Sequence, residues 1–344
     1  METRKLQRVG GGTITVSLPK EWADRHGLDA GDTVDVHGHV EDVLTIQPDG
    51  LPAEDGVSPT VRVVDDCTPE SLRRTLQAAY AAGAASVTFR AENTLREDQR
   101  RAVESTARAR SGLTVDAASA EALTVRCLLD PAELSIQQSV RQLQFVALSS
   151  VRRAAEAIRA GEEGVTVEDG QPDRIRAAVE RSFRRGLTRL DELDTLGVDR
   201  TTLFELRETA RSLATVAEAA EDLAAAAGAE GAATLTDSVS LAVEVVEDAV
   251  AVVLDDGPAR EAHRALAARE ALADELGRVE DSLGDRVDPR LIRAIDAVDT
   301  VAAAGATIAR EGLGSAVRNG TVDGSVPAVT DAAERVPDRE DADS

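Results

Sequence analysis

From Pro131 to Asn319 the sequence reads as one helix after another, divided by glycine and proline at Gly161–Pro172, Gly197–Asp199, Gly228–Gly231, Gly257–Pro258 and Gly284–Pro289. Glycine weakens a helix and proline cannot continue one, so each break ends a segment. Five breaks leave six helices, and short connections make chain neighbours pack antiparallel. The expectation for 131–316 is two successive three-helix bundles, over 132–228 and 233–316. The two halves share little sequence, so the repeat rests on segment length. Four Phe, one Trp and one Tyr are the only aromatic residues in 344. Alanine and valine must therefore do most of the core filling.

Upstream, Pro48 to Pro59 is a linker rich in proline, glycine and acids. Residues 57–130 alternate between strand and helix. "TVRVV" is a strand, Thr68 caps a helix with Pro69 at its first position, and "SVTFR" is a strand. A helix over about 95–110 follows, then "LTVDA" and "ALTVRCLL". This predicts a small α/β domain in which no catalytic constellation is visible. Residues 320–344 are polar, aperiodic and acidic, the composition of a disordered tail.

The first 48 residues alternate in the strand manner. Ile14, Val16 and Leu18 point one way, with Thr13, Thr15 and Ser17 the other. Pro19 fits the first turn of a short helix, Gly27 with Leu28 closes it, and Asp29–Asp32 is a turn. Val34 and Val36 start a strand, and "HGHVED" bends the chain back into "VLTI". Four short strands and one short helix cannot bury a core alone, so an intertwined homodimer is expected.

Charge sets this opening apart. The chain carries 63 acids against 39 bases, a net −24, and nearly every base is arginine. Such a surface resembles proteins of salt-accumulating halophiles, a habitat signal before a functional one. Lys5 and Lys20 are the only lysines; residues 1–26 hold five bases (Arg4, Lys5, Arg8, Lys20, Arg25) against three acids. The next forty residues hold ten acids and one base. A positive sign kept against this background points to a polyanion as partner. Cys67 and Cys127 form no CxxC and read as buried structural thiols of a reducing compartment. No run of about 18 apolar residues and no signal-peptide h-region is present, so a soluble, cytoplasmic protein without membrane insertion is expected. No nucleophile motif, phosphate loop or paired-cysteine site appears, which predicts a non-enzyme without cofactor.

The stretch "GGTITVSLPKEWADRHGLDAGD" resembles the AbrB/SpoVT swapped-hairpin DNA-binding family. The resemblance is carried by Arg4-Lys5 with Arg8, the Gly10–Gly12 turn, Leu18-Pro19, the helix around Trp22, Gly27-Leu28 and Gly31-Asp32. It is closest to archaeal members that fuse this module to a PhoU-type helical domain, which the six helices fit in length and order. The fold implied is multidomain α+β: a dimeric swapped-hairpin β-barrel over 1–48, a small α/β connector over 57–130, and tandem PhoU-like bundles over 131–316. The function implied is a DNA-binding regulator of phosphate uptake, with Arg4, Lys5, Arg8, Lys20 and Arg25 facing DNA. Ala23, Asp24 and Thr15 stand where many members carry bases. The alternative is a PhoU-type adaptor that binds no DNA and regulates a phosphate transporter or its signalling kinase through protein contacts, the head serving only as dimeriser.

PhoU-family helices carry carboxylates in Glu/Asp-x-x-x-Asp spacing that hold metal clusters, one turn apart on one face. Here Ala214 and Ala303 stand at expected acids beside Glu218 and Asp299, so metal binding is expected to be lost or weak. Glu218/Asp222 and Glu244/Asp248 keep the spacing and are weak candidates beside their reading as solvated faces. Arg181, Arg184, Arg185 and Arg189 form a basic ridge, for an anionic partner or, in preference, for pairing within the chain. His37 and His39 read as hairpin-tip residues in preference to metal ligands. Trp22 is expected in the core of the small barrel.

Overall fold

Two-residue periodicity builds two hairpins at the start of the chain. β1 (Gln7–Val9) pairs antiparallel with β2 (Thr13–Thr15), setting Gln7 against Thr15, Arg8 against Ile14 and Val9 against Thr13. β3 (Val34–Gly38) pairs with β4 (Leu44–Pro48), so that Val36 faces Ile46 and His37 faces Thr45. Between them lies α1 (Lys20–His26). Pro19 sits one position before the helix, its carbonyl accepting from Trp22 and Ala23 N–H at 3.1 Å, instead of inside the first turn. Gly27 ends the helix at φ 66°, which favours glycine, and Leu28 N–H bonds back to the Ala23 carbonyl at 3.0 Å. The computed structural model describes residues 3–10, 12–38, 43–48, 58–64, 66–130, 135–167, 170–255, 257–283 and 287–321. The tail over 322–344, His39 and most of the linker lie outside them.

The chain divides into two compact units, Met1–Asp55 and Gly56–Ser344. In the first, the hairpins stay separate two-stranded sheets, and the strand expected to run to Leu18 stops at Thr15. Beyond Thr15 the extended backbone has no ladder partner among the described residues.

The second unit opens with β5 (Thr60–Val63), α2 (Pro69–Ala81), β6 (Ser86–Ala91), α3 (Glu97–Arg108), β7 (Leu113–Ala118) and β8 (Ala122–Cys127). The Thr68 hydroxyl accepts from Ser71 N–H at 3.1 Å, capping α2 before its leading proline. The sheet order is β5-β6-β8-β7, with β5 parallel to β6 and the remaining pairs antiparallel. Val87, Phe89, Leu123 and Val125 alternate onto one face and pack under Leu72 and Leu76 of α2 and Val103 of α3.

Among the described residues seven α-helices follow, not six: α4 (Ile136–Ala160), α5 (Gln171–Thr188), α6 (Leu190–Leu196), α7 (Arg200–Ala225), α8 (Thr236–Leu254), α9 (Ala259–Ser282) and α10 (Pro289–Arg318). The extra break is at Arg189, which is extended at φ −128° and ψ 113°. It turns α6 back so that Leu193 and Glu192 are buried, with Leu193 against Gly186 and Glu192 bound to Arg185 at 2.7 Å. α4, α5 and α7 pack together, as do α8, α9 and α10. These are not two separate bundles, however. α10 also lies along α7, α4 touches α8, and one continuous core runs from Ile136 to Ala309. Small residues allow this. A Cβ on Gly305 would stand 3.0 Å from Val246 N, so α10 sits against the α8 backbone.

The α/β layer is bolted to the helices by arginine. Arg181 of α5, 5% exposed, donates to the carbonyls of Tyr80 and Ala84 at 2.9 and 3.0 Å and lies over the Tyr80 ring. Arg110 reaches Asp173 of α5 at 2.9 Å. Among the described residues no helix is long and apolar enough to cross a membrane.

Candidate nucleic-acid interface

The five bases of the first unit are all exposed, but a single chain does not gather them into one patch. Arg4 and Lys5 precede β1. Arg8 lies opposite Ile14, on the face that Ile14 makes apolar, while Gln7 and Thr15 share the other face. Lys20 is the first residue of α1 and Arg25 is in its last turn. Five residues at 100° each place these two about 140° apart around the axis. Arg25 Nε also turns back to the Glu21 carbonyl at 3.2 Å. Ala23 and Asp24 occupy the turn between them, and the Thr15 hydroxyl donates to the Gln7 carbonyl at 3.3 Å.

Nothing in this unit is buried: every described residue from 3 to 48 is exposed or half-buried. Ile14 is 59% exposed and Val36 54%. Trp22 is half-buried and tilted against the His26 ring at 4.9 Å, not enclosed in a core. The second hairpin is two-faced, with Val34, Val36, Leu44 and Ile46 on one uncovered side and Asp35, His37, Thr45 and Gln47 on the other. The first is mixed, Arg8 beside Ile14 on one face and Val9 with Gln7, Thr13 and Thr15 on the other.

The helical candidates resolve differently. Glu218 and Asp222 of α7 line a groove of about 260 Å³ facing Arg293 and Asp296 of α10. The α8 pair is split, because Asp248 takes a two-pronged bond from Arg264 at 2.7 and 2.5 Å. Asp299 pairs with Arg269 at 2.8 Å, and Ala214 is buried, not on the bundle surface. Among the described residues no group of three or more His, Cys, Asp or Glu is placed to hold a metal ion. The arginine ridge is spent within the chain. Arg181 holds the α/β layer, Arg184 bonds Glu180 at 2.6 Å, Arg185 bonds Glu192, and Arg189 bonds Asp191 at 2.8 Å. Cys67 and Cys127 are half-buried free thiols.

Residues 7–53 match the family model described as antidote-toxin recognition MazE, bacterial antitoxin. The match covers the first unit from β1 through β4. No curated protein and no solved structure matches the chain.

Proposed function

We propose that the chain is a homodimeric, DNA-binding transcription regulator acting in the cytoplasm by binding, not catalysis. In this reading the helical body is PhoU-like and senses a signal or partner, and the genes controlled serve phosphate uptake in a salt-rich cell. The observation that carries the proposal is the first unit: a segment similar to the MazE family whose apolar hairpin faces are uncovered in one copy. Pairing two copies through Ile14, Val16, Val36 and Ile46 would cover those faces and complete a barrel, leaving the polar faces outward. The dimer would then carry ten bases, two from each of Arg4, Lys5, Arg8, Lys20 and Arg25, with Arg8, which shares the Ile14 face, at the rim of the seam and its guanidinium reaching outward.

The test is fluorescence anisotropy on promoter DNA over a salt series. Each phosphate contact contributes about −0.9 to the slope of log affinity against log salt. Lys5→Ala/Arg8→Ala removes up to four contacts per dimer, so the slope should become shallower by roughly three units. An unchanged slope and affinity would favour the adaptor reading, in which the head only dimerises. That second reading draws support from Ala23, Asp24 and Thr15, and from the dispersal of the five bases over separate faces.

A further inference from the structure

Strand alternation gives the second unit's sheet a covered face and an open one. Phe89, Leu123 and Val125 lie under α2 and α3, and the register lays out the opposite face in three rows. In the first, Arg62 stands beside Arg90, with Ala122 next. In the second, Thr60, Thr88, Thr124 and Ala117 stand in line, the Thr88 and Thr124 hydroxyls 3.0 Å apart. In the third, Arg126 sits between Ser86 and Thr114. Apart from Ala122 and Ala117, these positions offer only guanidinium and hydroxyl groups.

The charge runs against that of the helical body. Residues 57–130 carry ten arginines and ten acids, whereas 131–316 carry 21 arginines and 35 acids. Two carboxylates pair with the face: Glu92 with Arg62, and Asp116 with Arg126 at 3.1 Å. Both arginines nevertheless remain open to solvent, at 73% and 55% exposure. Arg90 is exposed and has no carboxylate partner among the described residues.

A sheet that binds single strands presents aromatic side chains for the bases to stack on. Here the sheet's one aromatic, Phe89, is fully buried on the covered face. Stacking is therefore absent and backbone contact remains. The two arginine rows are four residues apart along β6, about 13 Å at 3.3 Å per residue, close to the ~12 Å width of the major groove. They can thus meet phosphates on both rims of one groove, with the threonine row between them.

We propose that this open sheet face is a second duplex-DNA contact, one that engages backbone charge and not sequence. It stands whether or not the head contacts DNA. The experiment uses the full chain and a labelled duplex of arbitrary sequence over a salt series. Arg62→Gln/Arg90→Gln/Arg126→Gln removes up to three phosphate contacts per chain, so the salt slope should become shallower by roughly two to three units. The charge-keeping variant Arg62→Lys/Arg90→Lys/Arg126→Lys should retain the parent slope. An unchanged slope in the glutamine variant overturns the proposal, as does an equal loss in the lysine variant, since charge would not then be the cause. Lys5→Ala/Arg8→Ala measured alongside reports on the head alone, so failure of one surface is distinguishable from failure of the other.

Discussion

Arg181→Met should loosen the joint between the α/β layer and the helices. The side chain gives two hydrogen bonds from a charged donor to carbonyls, each worth about 1.5–3 kcal/mol, and a cation–π contact worth about 1 kcal/mol. Against this, burial disfavours the guanidinium and pushes its pKa down, so removing the charge returns part of the desolvation cost. The Tyr80 carbonyl keeps the Gly83 N–H at 3.0 Å, whereas the Ala84 carbonyl loses the Arg181 donor. A net loss of about 2–3 kcal/mol follows, or roughly 4–12 °C in Tm. The assay has a built-in reporter, because Tyr80 is the chain's single tyrosine. Burial, with the Cys127 thiol nearby, pushes its phenol up to about 12, its hydroxyl donating to the Ser111 carbonyl at 3.1 Å. A raised pKa means that this group's stabilisation is complete below pH 10 and lost as pH rises through about 12. Arg181 draws that value down, so phenolate absorbance in Arg181→Met should titrate still higher while the fold persists. Stability within about 0.5 kcal/mol of the parent, with an unmoved tyrosine titration, would refute this account of the joint.

Gly305→Ala improves helix propensity by about 1 kcal/mol yet should destabilise the protein by a net 1–3 kcal/mol, measured by denaturant melts, because its methyl meets the α8 backbone. Acid should weaken the seam at Asp173. Burial raises this carboxyl, but Arg176 and Arg110 outweigh it and hold the pKa below the usual range. Its contribution is present above about pH 4 and lost as pH falls through the depressed value. Asp173→Asn should therefore lower stability at neutral pH and flatten the acid limb of a stability–pH curve; a parallel curve would remove Asp173 from that role.

Local rules carried the sequence reading where a residue's neighbours in sequence are also its neighbours in space. Thr68-Pro69 announced α2, Gly27-Leu28 announced the end of α1, and the alternation around Ile14 named the two faces of the first hairpin. The break at Arg189 was invisible because no glycine or proline marks it. Its cause is tertiary: the burial of Leu193 and Glu192 against α5. The fusion of the two helical groups was hidden for the same reason, since helical periodicity shows which face is apolar and not which neighbour will cover it. Candidate sites followed this division. The sequence named Glu218 and Asp222, but only the fold brings Arg293 and Asp296 opposite them. The open arginine and threonine face could have been found from the period-two pattern in "TVRVV", "SVTFR" and "ALTVRC", had the polar positions been read across strands.

The shared core of the helical body limits how the chain can be taken apart. α10 has 30 residues, about 45 Å at 1.5 Å per residue, and it lies along α7, α8 and α9 at once. Each half of the body lends the other the wall that closes it, so neither is a module that evolution or an engineer could excise, duplicate or swap. A ligand event anywhere on these helices would also act on a single stiff object. Among the described residues the two halves share their packing throughout, so a shift in one is a shift in the wall of the other.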